Sequence, residues 1–276
     1  MEVNTIVYYD CYKKKQKCGC PINFSQGISG SYSLLCGSEP FKIFESDVPT
    51  ELTFEVTLFE FAQNVDSCEL RIRVELHDGN EIVRILLNPN QSATFSESNN
   101  TSIYSKQVRR IFIQCLGGTG TSCRGFWNSF IFLRGSNNRS KCGCPVYLQN
   151  RNAFSEGNLP TLSGSYSLPC GSEEIIIYGS DETTETIGNI SLSTSTAGED
   201  SCDLEVIIQL NCGKTLDFLI PNPNTSPTQT ETNSIFYYSP NLENVMIQCL
   251  SDGGATGCRG GYTNQLVIRA STLGCE

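Results

Sequence analysis

The chain has 276 residues, 38% of them hydrophobic, with a formal net charge of −10 and 15 cysteines. Half of that length suffices for one globular domain, and no apolar run is long enough for a membrane-spanning helix. The imbalance is lopsided: residues 1–140 hold 14 Lys+Arg and 14 Asp+Glu, whereas residues 141–276 hold 5 and 15. That sign excludes nucleic acid as a partner.

In chain order, residues 1–17 come first and have no counterpart later in the sequence. Val3, Ile6, Val7, Tyr8 and Tyr9 are strand-prone, and Tyr12 to Lys17 is basic, so the segment reads as a connector arm able to add to a sheet edge elsewhere. The start lacks a basic stretch followed by an apolar core. With so many cysteines, this predicts a protein oxidised after release from its producing cell.

Alternation then predicts a first domain over 18–135. Strands are expected at Ser31–Leu34, Phe41–Phe44, Leu52–Leu58, Cys68–Leu76, Glu81–Leu87, Ala93–Ser96, Val108–Cys115 and Phe126–Leu133. Cys68 to Leu76 alternates apolar and charged residues without a fault. His77-Asp78-Gly79-Asn80 is a turn that makes a hairpin of its flanks. Residues 136–140 form a polar linker. A second domain over 141–276 repeats the plan, with strands at Leu204–Leu210, Thr215–Ile220, Val245–Cys249 and Gln265–Arg269. The expected fold class is therefore all-β: two tandem antiparallel, jelly-roll-like β-sandwiches with an N-terminal arm.

The duplication is literal. Lys17-Cys18-Gly19-Cys20-Pro21 returns from Lys141 to Pro145, and SGSYSLLCGSE from Ser29 returns as SGSYSLPCGSE from Ser163. Cys36 to Cys170, Cys68 to Cys202 and Cys115 to Cys249 are each 134 residues. Cysteines in register across a duplication are structural. Cys36, Cys68, Cys115 and Cys123, with Cys170, Cys202, Cys249 and Cys258, are candidates for bonds within each domain. Four cysteines pair in three ways, and spacing does not choose among them.

The other seven differ. Cys11 is on the arm, Cys18 and Cys20 open the first domain, and Cys142 and Cys144 open the second. Cys212 lies in a turn, and Cys275 is the second-last residue. Residues two apart on a strand face the same way, so a CxC pair offers two sulfurs to one neighbour. These seven are candidates for bonds between subunits. The CxC pairs also supply four thiolates on paper. However, structural zinc sites favour CxxC, and Cys20 and Cys142 stand 122 residues apart, so no metal or cofactor is assigned.

Catalytic constellations are lacking. His77 is the sole histidine, in a turn with no histidine at the matching place in the second domain. Glu199, Asp200 and Asp203 read as a solvated loop rather than a Ca²⁺ site.

Each repeat closes on the same phrase: Arg110 to Arg134, RIFIQCLGGTGTSCRGFWNSFIFLR, and Asn244 to Arg269, NVMIQCLSDGGATGCRGGYTNQLVIR. A strand ending in Cys, a Gly/Thr-rich turn and a Cys-Arg-Gly strand resemble the closing hairpin of bacterial endospore appendage fibre subunits. That resemblance implies a jelly-roll subunit whose N-terminal connector, here bearing Cys11, Cys18 and Cys20, reaches a neighbour and is fixed there by disulfides. It further implies a non-enzymatic homopolymer, joined head-to-tail on the spore surface, in contact with itself and with other spore-surface proteins. Members of that family have one domain; this chain has two, and a longer, basic arm. Contacts along a fibre are then expected to repeat the contact inside the chain. The competing expectation is a secreted carbohydrate-binding or adhesin tandem, with Phe126, Trp127, Tyr237 and Tyr238 lining a groove.

Overall fold

A computed structural model describes residues 24–59, 69–89, 97–117, 121–133, 143–145, 161–194, 201–223, 230–251, 257–267 and 269–271. The arm, Ala93 to Ser96, Cys68, the linker and residues 195–200 lie outside the described residues.

The described elements are all strands: β1 (Phe24–Leu35), β2 (Phe41–Phe59), β3 (Leu70–Leu76), β4 (Glu81–Leu86), β5 (Ser98–Cys115), β6 (Ser122–Leu133), β7 (Gly143–Pro145), β8 (Thr161–Leu168), β9 (Ile175–Ser193), β10 (Leu204–Leu210), β11 (Thr215–Ile220), β12 (Thr232–Cys249), β13 (Cys258–Leu266) and β14 (Arg269–Ser271). Alternation accounts for the short ones. In β3, Leu70, Ile72 and Val74 are fully buried, while Arg71 faces solvent. The β3–β4 turn works because Gly79 takes φ +87, and Asp78 Oδ1 accepts the Asn80 amide at 3.0 Å.

Two expected strands, Phe41–Phe44 and Leu52–Leu58, are one long strand. β2 runs through with register shifts between Lys42 and Phe44, between Glu45 and Thr50 and between Thr50 and Leu52, which carry it from one sheet to the other. Side-chain bonds hold the bend: Thr50 Oγ1 donates to Ser46 Oγ at 2.8 Å, and Ser46 Oγ donates to Val48 O at 3.0 Å. β5, β9 and β12 are long for the same reason. Splitting each long strand gives two four-stranded layers per repeat. In the first repeat, β1, β6, the end of β2 and the start of β5 make one layer; the start of β2, the end of β5, β3 and β4 make the other. β8 to β13 repeat this scheme. This is jelly-roll order.

The repeated words of the sequence explain one another. Tyr32, from SGSYSL, lies over Gly125, from Cys-Arg-Gly, and its hydroxyl donates to Thr57 O at 2.8 Å. A Cβ on Gly125 would fall on that same carbonyl oxygen. Tyr166, Gly260 and Ser191 O repeat the arrangement, with the hydroxyl at 2.7 Å. Burial pushes both phenols far above the usual tyrosine range.

The named strands within each repeat pair antiparallel, as expected, whereas the pairing between the repeats is parallel. Phe44–Ser46 of β2 pairs in parallel with Phe236–Tyr238 of β12, so the repeats share a mixed sheet, ordered β4-β3-β5-β2-β12-β9-β13-β8. Each β-sandwich leaves edges, and here an edge of one repeat completes an edge of the other. A separate two-stranded sheet sets β7 against β14, with Cys144 opposite Ala270.

Candidate assembly interface

The seam between the repeats is built from β1, β2 and β6 on one side and mainly β12, with β9 and β11, on the other. Asn233 lies in β12, and its side chain works as a substitute strand. Its Oδ1 accepts Ser33 N at 2.6 Å, while its Nδ2 donates to Ser33 O at 3.2 Å and to Pro221 O at 2.8 Å. Ser33 Oγ donates to Glu231 Oε1 at 3.0 Å, and Arg124 Nη2 meets the same oxygen at 2.6 Å. Ser31 Oγ donates to Thr232 O at 3.1 Å. Ser33, Arg124, Glu231 and Asn233 are all buried. Charge-assisted bonds in such a place are strong, and each partner depends on the other to remain satisfied. Burial pulls the Arg124 guanidinium below the usual arginine value, and Glu231 offsets part of that fall.

Beside this polar set is an aromatic one. Phe236 stacks on Phe44 with ring centres 4.5 Å apart and lies 4.7 Å from Trp127. Contacts of this kind contribute roughly 0.5–1.5 kcal/mol each beyond area burial. Gly30 makes room: a Cβ there would collide with Trp127 and Ser234. Lys42 Nζ lies 4.7 Å above the Phe218 ring.

The groove-lining role expected for aromatics in a sugar-binding module fails for three of its four candidates, since Trp127, Tyr237 and Tyr238 are buried and only Phe126 is exposed. Trp127 and Tyr237 are fully buried, and the Tyr237 hydroxyl donates to Asn264 Oδ1 at 2.6 Å. Trp127 packs across the seam, and Tyr262 stands at the matching place in repeat two. His77 is not fully exposed in its turn. It is half-buried near Asp47, whose carboxyl in turn reaches Ser239 and Asn241 of the second repeat. Burial lowers the His77 pKa and raises that of Asp47. Asp203 Oδ1 accepts Asn222 N at 2.7 Å, a loop-tying role.

Among the candidate cysteines, the structure bonds Cys115 to Cys123, Cys170 to Cys202 and Cys249 to Cys258, with Cα–Cα separations of 5.6, 5.9 and 5.7 Å. Cys36 is also disulfide-bonded, and its Sγ lies 3.2 Å from Cys115 Sγ. Cys212 is an exposed free thiol. Cys144 is on β7. Cys11, Cys18, Cys20, Cys68, Cys142 and Cys275 lie outside the described residues. These bonds fit an oxidising environment, and no helix among the described residues is long and apolar enough to cross a membrane.

Sequence reasoning missed Asn233, Glu231, Arg124 and Ser33. A signal was present: Glu97-Ser98-Asn99 and Glu231-Thr232-Asn233 hold the same place in the two repeats.

No protein-family model matches the sequence, and no curated protein matches it. Solved structures give distant likenesses. The structure of Sulfolobus turreted icosahedral virus aligns at 8% identity over 91% of each chain, with a TM-score of 0.24. Infectious bursal disease virus, Gx strain, aligns at 9% identity over 89% of this chain and 72% of that one, at 0.25. The N-terminal CBM22-1–CBM22-2 tandem domain of Paenibacillus barcinonensis Xyn10C aligns at 6% over 94% and 100%, at 0.21.

Proposed function

We propose that this chain is a structural subunit that polymerises head-to-tail, its joints sealed by disulfides, into an extracellular fibre or coat layer of the kind found on bacterial spores. One observation carries the reading: the polar half of the internal seam is written a second time on the molecule's two outer ends. Asn99 stands where Asn233 does and is held alike, its Nδ2 donating to Leu87 O at 2.9 Å. Glu97 matches Glu231. At the far end, Ser167 matches Ser33, and Arg259 follows Cys258 as Arg124 follows Cys123. Ser33 and Arg124 are buried, whereas Ser167 and Arg259 are exposed.

A second copy therefore docks its Ser102–Tyr104 edge beside Tyr178–Ser180 of the first, as Phe236–Tyr238 lies beside Phe44–Ser46. The aromatic half repeats only in part: Tyr178 and Tyr262 stand where Phe44 and Trp127 do, but Ser102 replaces Phe236. A joint with the polar bonds but without the Phe236 ring buries less apolar surface than the internal seam and is weaker alone. That is where covalent closure by Cys11, Cys18, Cys20, Cys142, Cys144, Cys212 or Cys275 belongs. Electrophoresis of boiled material with and without reductant tests the reading. A ladder collapsing to one band under reductant supports it; a single 30.4 kDa species in both lanes overturns it.

A further inference from the structure

The second repeat gathers sulfur from four separate places in the chain to one end of its sandwich. In the second repeat, Cys170 follows β8, Cys202 precedes β10, Cys249 ends β12 and Cys258 opens β13. Two disulfides join them, and the bonds lie side by side: the Sγ atoms of Cys170, Cys202 and Cys249 are all within 4.8 Å of one another. Cys258, bonded to Cys249, has its Sγ 3.4 Å from Cys202 O, so the fourth sulfur belongs to the same cluster. Cys202, Cys249 and Cys258 are fully buried, and Cys170 is half-buried. The backbone sets these positions independently of the sulfurs. Gly171 N donates to Cys249 O at 2.9 Å, and Leu250 N donates to Asp203 O at 2.9 Å.

A tetrahedral tetrathiolate zinc has Zn–S bonds of about 2.3 Å, which places its sulfurs about 3.8 Å apart. The Sγ atoms of Cys170, Cys202 and Cys249, all within 4.8 Å of one another, occupy a space of that size.

We propose that, with its cysteines reduced, the second repeat binds one thiophilic divalent cation, best suited to zinc, through Cys170, Cys202, Cys249 and Cys258, and that oxidation exchanges the metal for the two disulfides. Binding removes one proton from each of the four thiols and leaves a centre of charge −2. Oxidation by two molecules of a low-molecular-weight disulfide forms the two protein S–S bonds, converts the oxidant to four thiolates and frees Zn²⁺. The metal ties together the same four chain segments as the disulfides do, so a chain still in a thiol-reducing compartment keeps this end of the sandwich closed. The proposal stands apart from the polymer reading, because it concerns buried sulfurs that the polymer joint does not use.

The experiment uses the full chain, reduced and handled without oxygen, titrated with Co²⁺ as a spectroscopic stand-in for zinc. The wild type should develop the ligand-field absorption of tetrahedral cobalt–thiolate. Cys202→Ser combined with Cys258→Ser should remove one tightly bound ion per chain, whereas Cys212→Ser should remove none. An unchanged cobalt content in the double variant overturns the proposal. To guard against misfolding of that variant, alkylation of the reduced wild type is mapped by mass spectrometry. Zinc should shield Cys170, Cys202, Cys249 and Cys258 from iodoacetamide, and equal labelling with and without zinc contradicts the site.

Discussion

The side chain of Asn233 and the backbone of Ser33 exchange two hydrogen bonds, at 2.6 and 3.2 Å, across the seam between the repeats. An amide is the one uncharged side chain that offers a donor and an acceptor in the geometry of a neighbouring strand. Asn233→Ala leaves a buried Ser33 N–H unpaired and should destabilise the chain by about 2 kcal/mol in urea unfolding. Asn99→Ala, at the matching outer position, should change monomer stability by no more than about 0.5 kcal/mol. It should, however, shorten the polymers seen by light scattering. Equal behaviour of the two variants would contradict the correspondence.

Arg124 and Glu231 are a buried pair with side-chain exposures of 10% and 3%. Truncating one member strands the other's charge. Arg124→Ala should cost about 3 kcal/mol, and adding Glu231→Gln to it should recover part of the loss. Arg259→Ala, exposed in the monomer, should cost little in stability and act on assembly alone. Denaturant midpoints of the four proteins check this.

Gly125 and Gly260 have no room for a methyl group, because the Thr57 and Ser191 carbonyl oxygens occupy the site. Either change to Ala must push apart strands that pair through those oxygens and displace Tyr32 or Tyr166. A loss of about 3 kcal/mol is expected for each, measured by thermal or urea unfolding. Gly37→Ala, where no atom lies within 4 Å, isolates the backbone cost of φ +79 and should lose less.

His77 is held below its ordinary 6.5, first by burial and then by Arg109, with Asp47 acting in the opposite sense. A depressed pKa contributes stability that is complete above 6.5 and is lost as pH falls through the lower folded value. The raised Asp47 has the reverse sign: it favours the folded state at pH below its ordinary 3.8, and that contribution fades as pH rises through its folded value. Below pH 6.5, His77→Gln should therefore lose less stability on acidification than the wild type. Parallel curves of unfolding free energy against pH would contradict this.

Much of the fold was legible because burial on one face writes itself as alternation. Leu70-Arg71-Ile72-Arg73-Val74 and Leu204 to Leu210 announce both strand and core face. The long strands were not legible. Asp47, Val48 and Pro49 interrupt the pattern in the middle of β2, and only tertiary pairing shows that a bend, not an end, lies there. Half of the seam could be read from Glu97-Ser98-Asn99 and Glu231-Thr232-Asn233, repeated without an obvious core role. The rest could not, because Trp127 looks the same in sequence whether it lines a groove or fills a joint.

The central claim is that copies of this chain meet as its two halves already meet. A reconstruction of assembled material by electron cryomicroscopy tests it most directly. The account predicts Ser102–Tyr104 of one copy in parallel register with Tyr178–Ser180 of the next, with Asn99 bonded to Ser167. Neighbouring copies that touch through other surfaces, or a chain that stays monomeric under oxidising conditions, would contradict it.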